Sequence, residues 1–236
     1  MVSVGLIVNP AASQDVRRST SLARTVDVHE RVTTVARVLR GLGATNVATI
    51  DYMPETYRVV ERAVEERASA YLPLGSDGVL RLQPVVLPRG DEADDAAGTA
   101  EAAAAMAELG VACVVTVGGD GTNRAVAMGW PDVVLLPLPG GANNAFAIPG
   151  DPTAAGMSAG LYATDPRRLT RHVRPCVRLR ILDAAGPLRE ITGGGLAMTP
   201  DGRVGTVAAR RRDGARGSTR SLAAGDAYDG REGAPS

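Results

Sequence analysis

The chain has 236 residues, 44% of them hydrophobic but only 3% aromatic, so any core it builds is aliphatic. Its 26 acids balance 26 bases, which argues against a protein that coats nucleic acid or an acidic membrane. Every one of those bases is arginine, and the absence of lysine excludes a Walker-type phosphate loop, a kinase-type lysine–glutamate pair and a Schiff-base lysine.

In chain order, Val4–Val8 is a short apolar run ended by Asn9-Pro10 and reads as a buried strand followed by a loop. The amino terminus, Met1 to Val8, has no basic residues and no long apolar core, so it does not read as a signal peptide. Asp27 to Leu42 carries Val28, Val32, Val35, Val38 and Leu39 at helical spacing, with Gly41 and Gly43 near its end. Asn46–Tyr52 is a second strand candidate. Glu55–Ala70 is charged, with Val59, Val60 and Val64 in one stripe, and predicts an amphipathic helix. Val79–Leu87 partly alternates and reads as a third strand. Asp91–Leu109 opens with acids and becomes alanine-rich, which favours a helix and its amino-terminal dipole. Cys113–Val117 is then the central strand and Val133–Leu138 another.

Strands alternating with helices at this spacing predict an α/β fold, a Rossmann-like, doubly wound, mostly parallel sheet over residues 1–173. Cys176–Leu182 and Arg189–Ile191 read as a strand pair, so 174–212 is expected to be a partial β-rich domain. Residues 213–236, rich in Arg, Gly, Ser, Ala and Asp, are expected to be a disordered tail. No run approaches the roughly 18 apolar residues of a membrane span, and Cys113 and Cys176 read as a reduced pair. The expectation is a soluble, cytoplasmic protein with no nucleic-acid partner and no stable membrane insertion.

The most informative stretch is Val114-Val115-Thr116-Val117-Gly118-Gly119-Asp120-Gly121-Thr122-Asn123. A β-branched run ends in three glycines around one acid, followed by a helix-compatible segment. Glycines leave room for a ligand to approach the main chain, and the amides of a helix start attract phosphate. Asp120 is then a carboxylate among phosphates, suited to holding Mg²⁺ or accepting a proton from an attacking hydroxyl. In open α/β sheets ligands bind beyond the carboxyl ends of the strands, where Asn9, the loop from Gly118 and the loop from Pro139 all fall.

With these residues in view, the chain resembles the ATP-NAD kinase/AcoX-like family, within the superfamily of NAD, diacylglycerol and sphingosine kinases. Leu6-Ile7-Val8-Asn9-Pro10 resembles its opening strand and turn. Asp15-Val16-Arg17-Arg18 and His29-Glu30 resemble the AcoX-like branch. Gly118-Gly119-Asp120-Gly121-Thr122 is the superfamily signature, and Leu136 to Phe146 resembles the second nucleotide loop. The likeness spans roughly residues 2–165. It implies an ATP-dependent kinase using Mg²⁺, with NAD or a related nucleotide as phosphoryl acceptor. Asp120 would be catalytic or hold the metal, while Asn9, Gly118, Gly119, Gly121, Thr122, Asn143 and Asn144 would bind nucleotide. Self-association is a further expectation from the resemblance.

Two departures qualify that reading. Pro139-Gly140-Gly141-Ala142 lacks the hydroxyls of the family's usual Ser/Thr-Gly-Thr, and only the beginning of the family's β-rich domain is recognisable, as in a shortened relative. A nucleotide-binding module with impaired catalysis is therefore the alternative, and a lipid kinase of the diacylglycerol type ranks lower because no basic, aromatic-bearing amphipathic helix is evident.

The residues also carry plainer readings. Thr122 suits a helix N-cap; Asn143 and Asn144 suit a turn; Asn9 either reaches a nucleotide or bonds the turn before Pro10. Arg17 and Arg18 either clamp phosphate or form a solvated pair. His29 and Glu30 read as surface or core-edge residues, the acids of 91–95 as a helix start, and Ala102–Ala105 as a close-packed helix face. No His, Cys, Asp or Glu cluster has zinc spacing.

Overall fold

The computed structural model describes residues 2–10, 27–71, 80–90, 92–141, 144, 146–147, 150–174 and 176, and four short strands beyond. Two compact units emerge, Met1–Pro175 and Cys176–Ser236. The first contains β1 (Ser3–Val8), α1 (Val28–Gly43), β2 (Thr49–Tyr52), α2 (Val59–Tyr71), β3 (Arg81–Pro84), α3 (Ala96–Glu108), β4 (Val114–Gly118), α4 (Asp120–Gly129), β5 (Leu135–Pro139), α5 (Pro152–Thr164) and the short α6 (Pro166–Leu169). Its strands form one parallel sheet in the order β3-β2-β1-β4-β5. This is the α/β, Rossmann-like architecture expected from the alternation of elements.

Alternate residues of each central strand face opposite sides, so both layers bury aliphatic side chains. Val4, Leu6 and Val8 of β1 and Val115 and Val117 of β4 pack with Val32, Val35, Leu39 and Leu42 of α1 and Ala159 of α5. Ile7 and Val114 face the other way, against Ala102, Ala103 and Met106 of α3 and Val126 of α4. Each fully buried aliphatic side chain contributes about 1.5–3 kcal/mol.

Helix α5 is absent from the sequence reading because it has no apolar stripe. It packs on α1 through small residues: a Cβ at Gly156 would overlap the Val38 carbonyl oxygen, and one at Gly41 the Thr153 carbonyl oxygen. The start of α5 is marked by Asp151, which accepts from the amides of Thr153 (2.8 Å) and Ala154 (3.0 Å), followed by Pro152 in the first turn. Two other helices begin later than expected for a similar reason. Glu55 sits before α2 and accepts from the amides of Tyr57 and Val59. Asp95 is the N-cap of α3, accepting from Gly98 N at 2.7 Å.

The second unit contains two antiparallel pairs, β6 (Arg178–Ile181) with β7 (Arg189–Thr192) and β8 (Ala197–Met198) with β9 (Val204–Gly205). The first pair matches the strands expected on either side of residues 183–187. The tail expected over 213–236 lies outside the described residues.

Candidate functional site

Register builds the site. Val8 pairs with Val117 and Val117 with Leu138, so one residue further on, Asn9, Gly118 and Pro139 reach the carboxyl edge of the sheet abreast. The chain leaves β1 and β4 toward opposite faces here, which makes this the topological switch point, where the crevice of a doubly wound sheet opens.

Gly118 closes β4, Gly119 is the N-cap of α4 and Asp120 is its first residue. The Gly119 carbonyl accepts from the amides of Thr122 (3.0 Å) and Asn123 (3.2 Å). Thr122 is therefore not the N-cap its sequence context suggested. It lies in the first turn, 2% exposed, and its side chain packs so closely on Gly118 that a Cβ there would stand 2.5 Å from Thr122 Oγ1. Gly121, by contrast, is exposed, and a Cβ on it would meet nothing within 4 Å. The amides of Thr122 and Asn123 are taken by the Gly119 carbonyl, and those ahead of Thr122 precede the first intrahelical acceptor, so this end of α4 is suited to face an anion.

Three buried polar atoms around this turn have no hydrogen-bond partner among the described residues: Asn9 Oδ1, Thr122 Oγ1 and Asn123 Nδ2. The other end of the Asn123 amide is fixed, because Oδ1 accepts from Thr116 Oγ1 at 2.7 Å.

The second loop folds over the first. Gly140 N donates to Gly118 O at 2.9 Å, and a Cβ at Gly140 would stand 2.8 Å from Gly118 N, so only glycine lets the loops approach this closely. Phe146 N donates to Asp120 Oδ1 at 3.0 Å, bringing the loop after β5 onto the one carboxylate of the turn. Asn144 closes its own loop, with Nδ2 donating to Gly141 O (2.8 Å) and Oδ1 accepting from Gly141 N (3.2 Å). Asn143, Arg17 and Arg18 lie outside the described residues. His29 and Glu30 are exposed on the first turn of α1.

Arg31, which the sequence reading did not single out, belongs to the same place. It is 1% exposed, and its guanidinium donates to Pro10 O (2.6 Å) and Gly140 O (3.0 Å), spanning the turns after β1 and β5. An arginine in the first turn of a helix looks like a surface charge in sequence, and nothing local points 109 residues ahead.

A second concavity of about 400 Å³ lies beyond β2 and β3, lined by Tyr52, Glu55, Arg58, Glu61, Leu87 and Glu92 among others. Its ionisable groups are engaged structurally. Burial, then the hydrogen bond Tyr52 donates to Glu61, push the Tyr52 hydroxyl up to about 12. Burial raises Glu55 against the opposing pull of the amides it caps. Nearby, Thr56 Oγ1 donates to Glu92 Oε2 at 2.9 Å and Thr56 N to Asp94 Oδ1 at 3.2 Å, so these acids tie loops together. Among the described residues no group of three or more His, Cys, Asp or Glu side chains is arranged to hold a metal, and no helix is long and apolar enough to cross a membrane.

Comparison with known proteins agrees with the fold. The family model for the ATP-NAD kinase N-terminal domain matches residues 4–163, which include both loops. Acetoin catabolism protein X of Cupriavidus necator is 35% identical over 161 residues, covering 68% of this chain but 44% of that relative. No solved structure matches the chain. On the family match and the two loops it covers, the chain belongs to the ATP-NAD kinase N-terminal domain family.

Proposed function

We propose that this chain is an ATP-dependent kinase that transfers a phosphoryl group to a hydroxyl of NAD or a related nucleotide, with the donor phosphates seated at the amino terminus of α4. The observation that carries the reading is the convergence of both loops on Asp120. Its carboxylate begins α4 at the switch point and is held by the Phe146 amide at 3.0 Å. With no lysine in the chain, phosphate charge falls to backbone amides, arginine and metal.

In the proposed reaction the acceptor oxygen bonds to the γ-phosphorus, the bond from that phosphorus to the leaving ADP oxygen breaks, and Asp120 takes the hydroxyl proton. The amides ahead of Thr122 in the glycine turn bind and orient phosphate, Asn9 and Asn144 shape the nucleotide crevice, and Asn143 is assigned to nucleotide on the family resemblance alone. Mg²⁺ commonly binds through one or two carboxylates together with substrate phosphates, a mode that a lone Asp120 fits and a protein-only cage does not. When bound there it would neutralise phosphate charge.

Replacement of Asp120 by Asn tests the assignment. Asparagine keeps an oxygen for the Phe146 amide but loses the charge, so folding and nucleotide binding should persist while transfer from labelled ATP is lost. Retained turnover refutes the role of Asp120. Calorimetric binding of ATP, ADP or NAD by the unaltered chain without any turnover would instead assign a nucleotide-binding module, which the hydroxyl-free Pro139-Gly140-Gly141 segment would suit.

A further inference from the structure

We propose that Arg31 is a positioning residue of this site, its guanidinium fixing the spacing and orientation of the loops after β1 and β5 across the end of β4. The inference rests on the nucleotide site described above and names the residue that shapes it. Neighbouring strands lie about 4.8 Å apart, so β1 and β5, with β4 between them, are separated by roughly 10 Å. The two donors of one planar guanidinium hold the carbonyl oxygens of Pro10 and Gly140 no farther apart than about 8 Å, drawing the two turns toward each other over Gly118.

Orientation follows from the planar peptide. With the Gly140 carbonyl held toward Arg31, the N–H of Gly141 in the same peptide must point the opposite way. There it meets Asn144 Oδ1 at 3.2 Å, which sets the turn leading to Phe146 and so to Asp120. Arg31 touches no reacting atom in this scheme; it acts through the loops. Lysine cannot replace it, because a single ammonium on a flexible stem does not reproduce a rigid two-pronged donor.

The test compares Arg31→Lys with Val35→Ala, a cavity-forming change elsewhere on α1 at a fully buried position. In the full-length chain Arg31→Lys should weaken ADP binding at least about tenfold, as expected for loss of a charge-assisted hydrogen bond. It should also speed hydrogen exchange at Gly140 and Phe146. Val35→Ala should lower the melting temperature while leaving both nearly unchanged. Wild-type ADP affinity in Arg31→Lys, or an equal loss in Val35→Ala, overturns the proposal. If the unaltered chain binds no ADP, the proposed function falls, and the exchange comparison alone decides the role of Arg31. If Arg31→Lys does not fold, native-state exchange of the wild type decides it. The amides of Arg31, Gly140 and Phe146 should then open as one unit, and separate opening overturns the proposal.

Discussion

Two alanine substitutions three residues apart should separate packing from ligand binding in the glycine turn. In Gly118→Ala the new methyl would stand 2.5, 2.8 and 2.9 Å from Thr122 Oγ1, Cβ and Cγ2. Thr122 is buried in the first turn of α4, so the conflict is relieved only by shifting the helix or opening the packing. Overpacking of this kind costs about 1–3 kcal/mol, and each kcal/mol lowers the melting temperature by roughly 2–4 °C in a domain of this size. In Gly121→Ala the methyl enters open space, and alanine is a better helix former than glycine by up to about 1 kcal/mol. Its melting temperature should therefore stay level or rise slightly. The same methyl stands where a phosphate would approach the amides of the turn, so ADP affinity should fall about tenfold or more. Thermal unfolding and calorimetry on both variants read the two effects. Wild-type ADP affinity in Gly121→Ala would refute phosphate binding at this turn, and an unshifted melting temperature in Gly118→Ala would refute the packing of Thr122 against it.

Other consequences follow from the packing and the ionisable groups. Gly156→Ala would force α5 away from the Val38 carbonyl of α1 and should cost about 1–3 kcal/mol or more in urea unfolding; an unchanged midpoint would contradict the close helix contact. The Cys113 thiol is buried and pushed up to about 12, whereas Cys176 is exposed, so an aromatic disulfide reagent at pH 8 should label Cys176 rapidly and Cys113 only after unfolding. Asp151, held low by the Ala154 amide first and by Arg37 among its other partners, caps α5 as a carboxylate. Its contribution is present above the ordinary aspartate range and lost as pH falls through its depressed value. Asp151→Ala should lower the melting temperature at neutral pH, with the gap from wild type closing in acid; a gap independent of pH would contradict the charged cap.

The apolar runs of β1 and β4 were legible because both faces of a central parallel strand are buried, leaving a run of Val, Leu and Ile with little polar interruption. Strand β3, at the sheet edge with mostly exposed residues, showed only a loose alternation, and its bounds came out too wide. Helix α5 was hidden because glycine and alanine let its backbone approach α1 without the stripe of large residues that periodicity detects. At the site, Gly118 to Gly121 and Asp120 were legible as a local motif. For Thr122 the plainer N-cap reading failed because the N-cap fell to Gly119, and hydroxyl chemistry alone does not say which residue of a Gly-Gly-Asp-Gly-Thr run turns the chain. Arg31 could not be found locally, since the carbonyls it binds are 21 and 109 residues away.

The central claim, that phosphate seats between the two loops at the start of α4, is tested most directly by titrating the isotopically labelled chain with ADP and following its backbone amides. The account predicts that Gly119, Gly121, Gly141 and Phe146 shift together and saturate at one affinity, while Tyr52, Glu61 and Glu92 around the second concavity stay put. Shifts confined to that second concavity, or none at 119–122 on saturation, would contradict it.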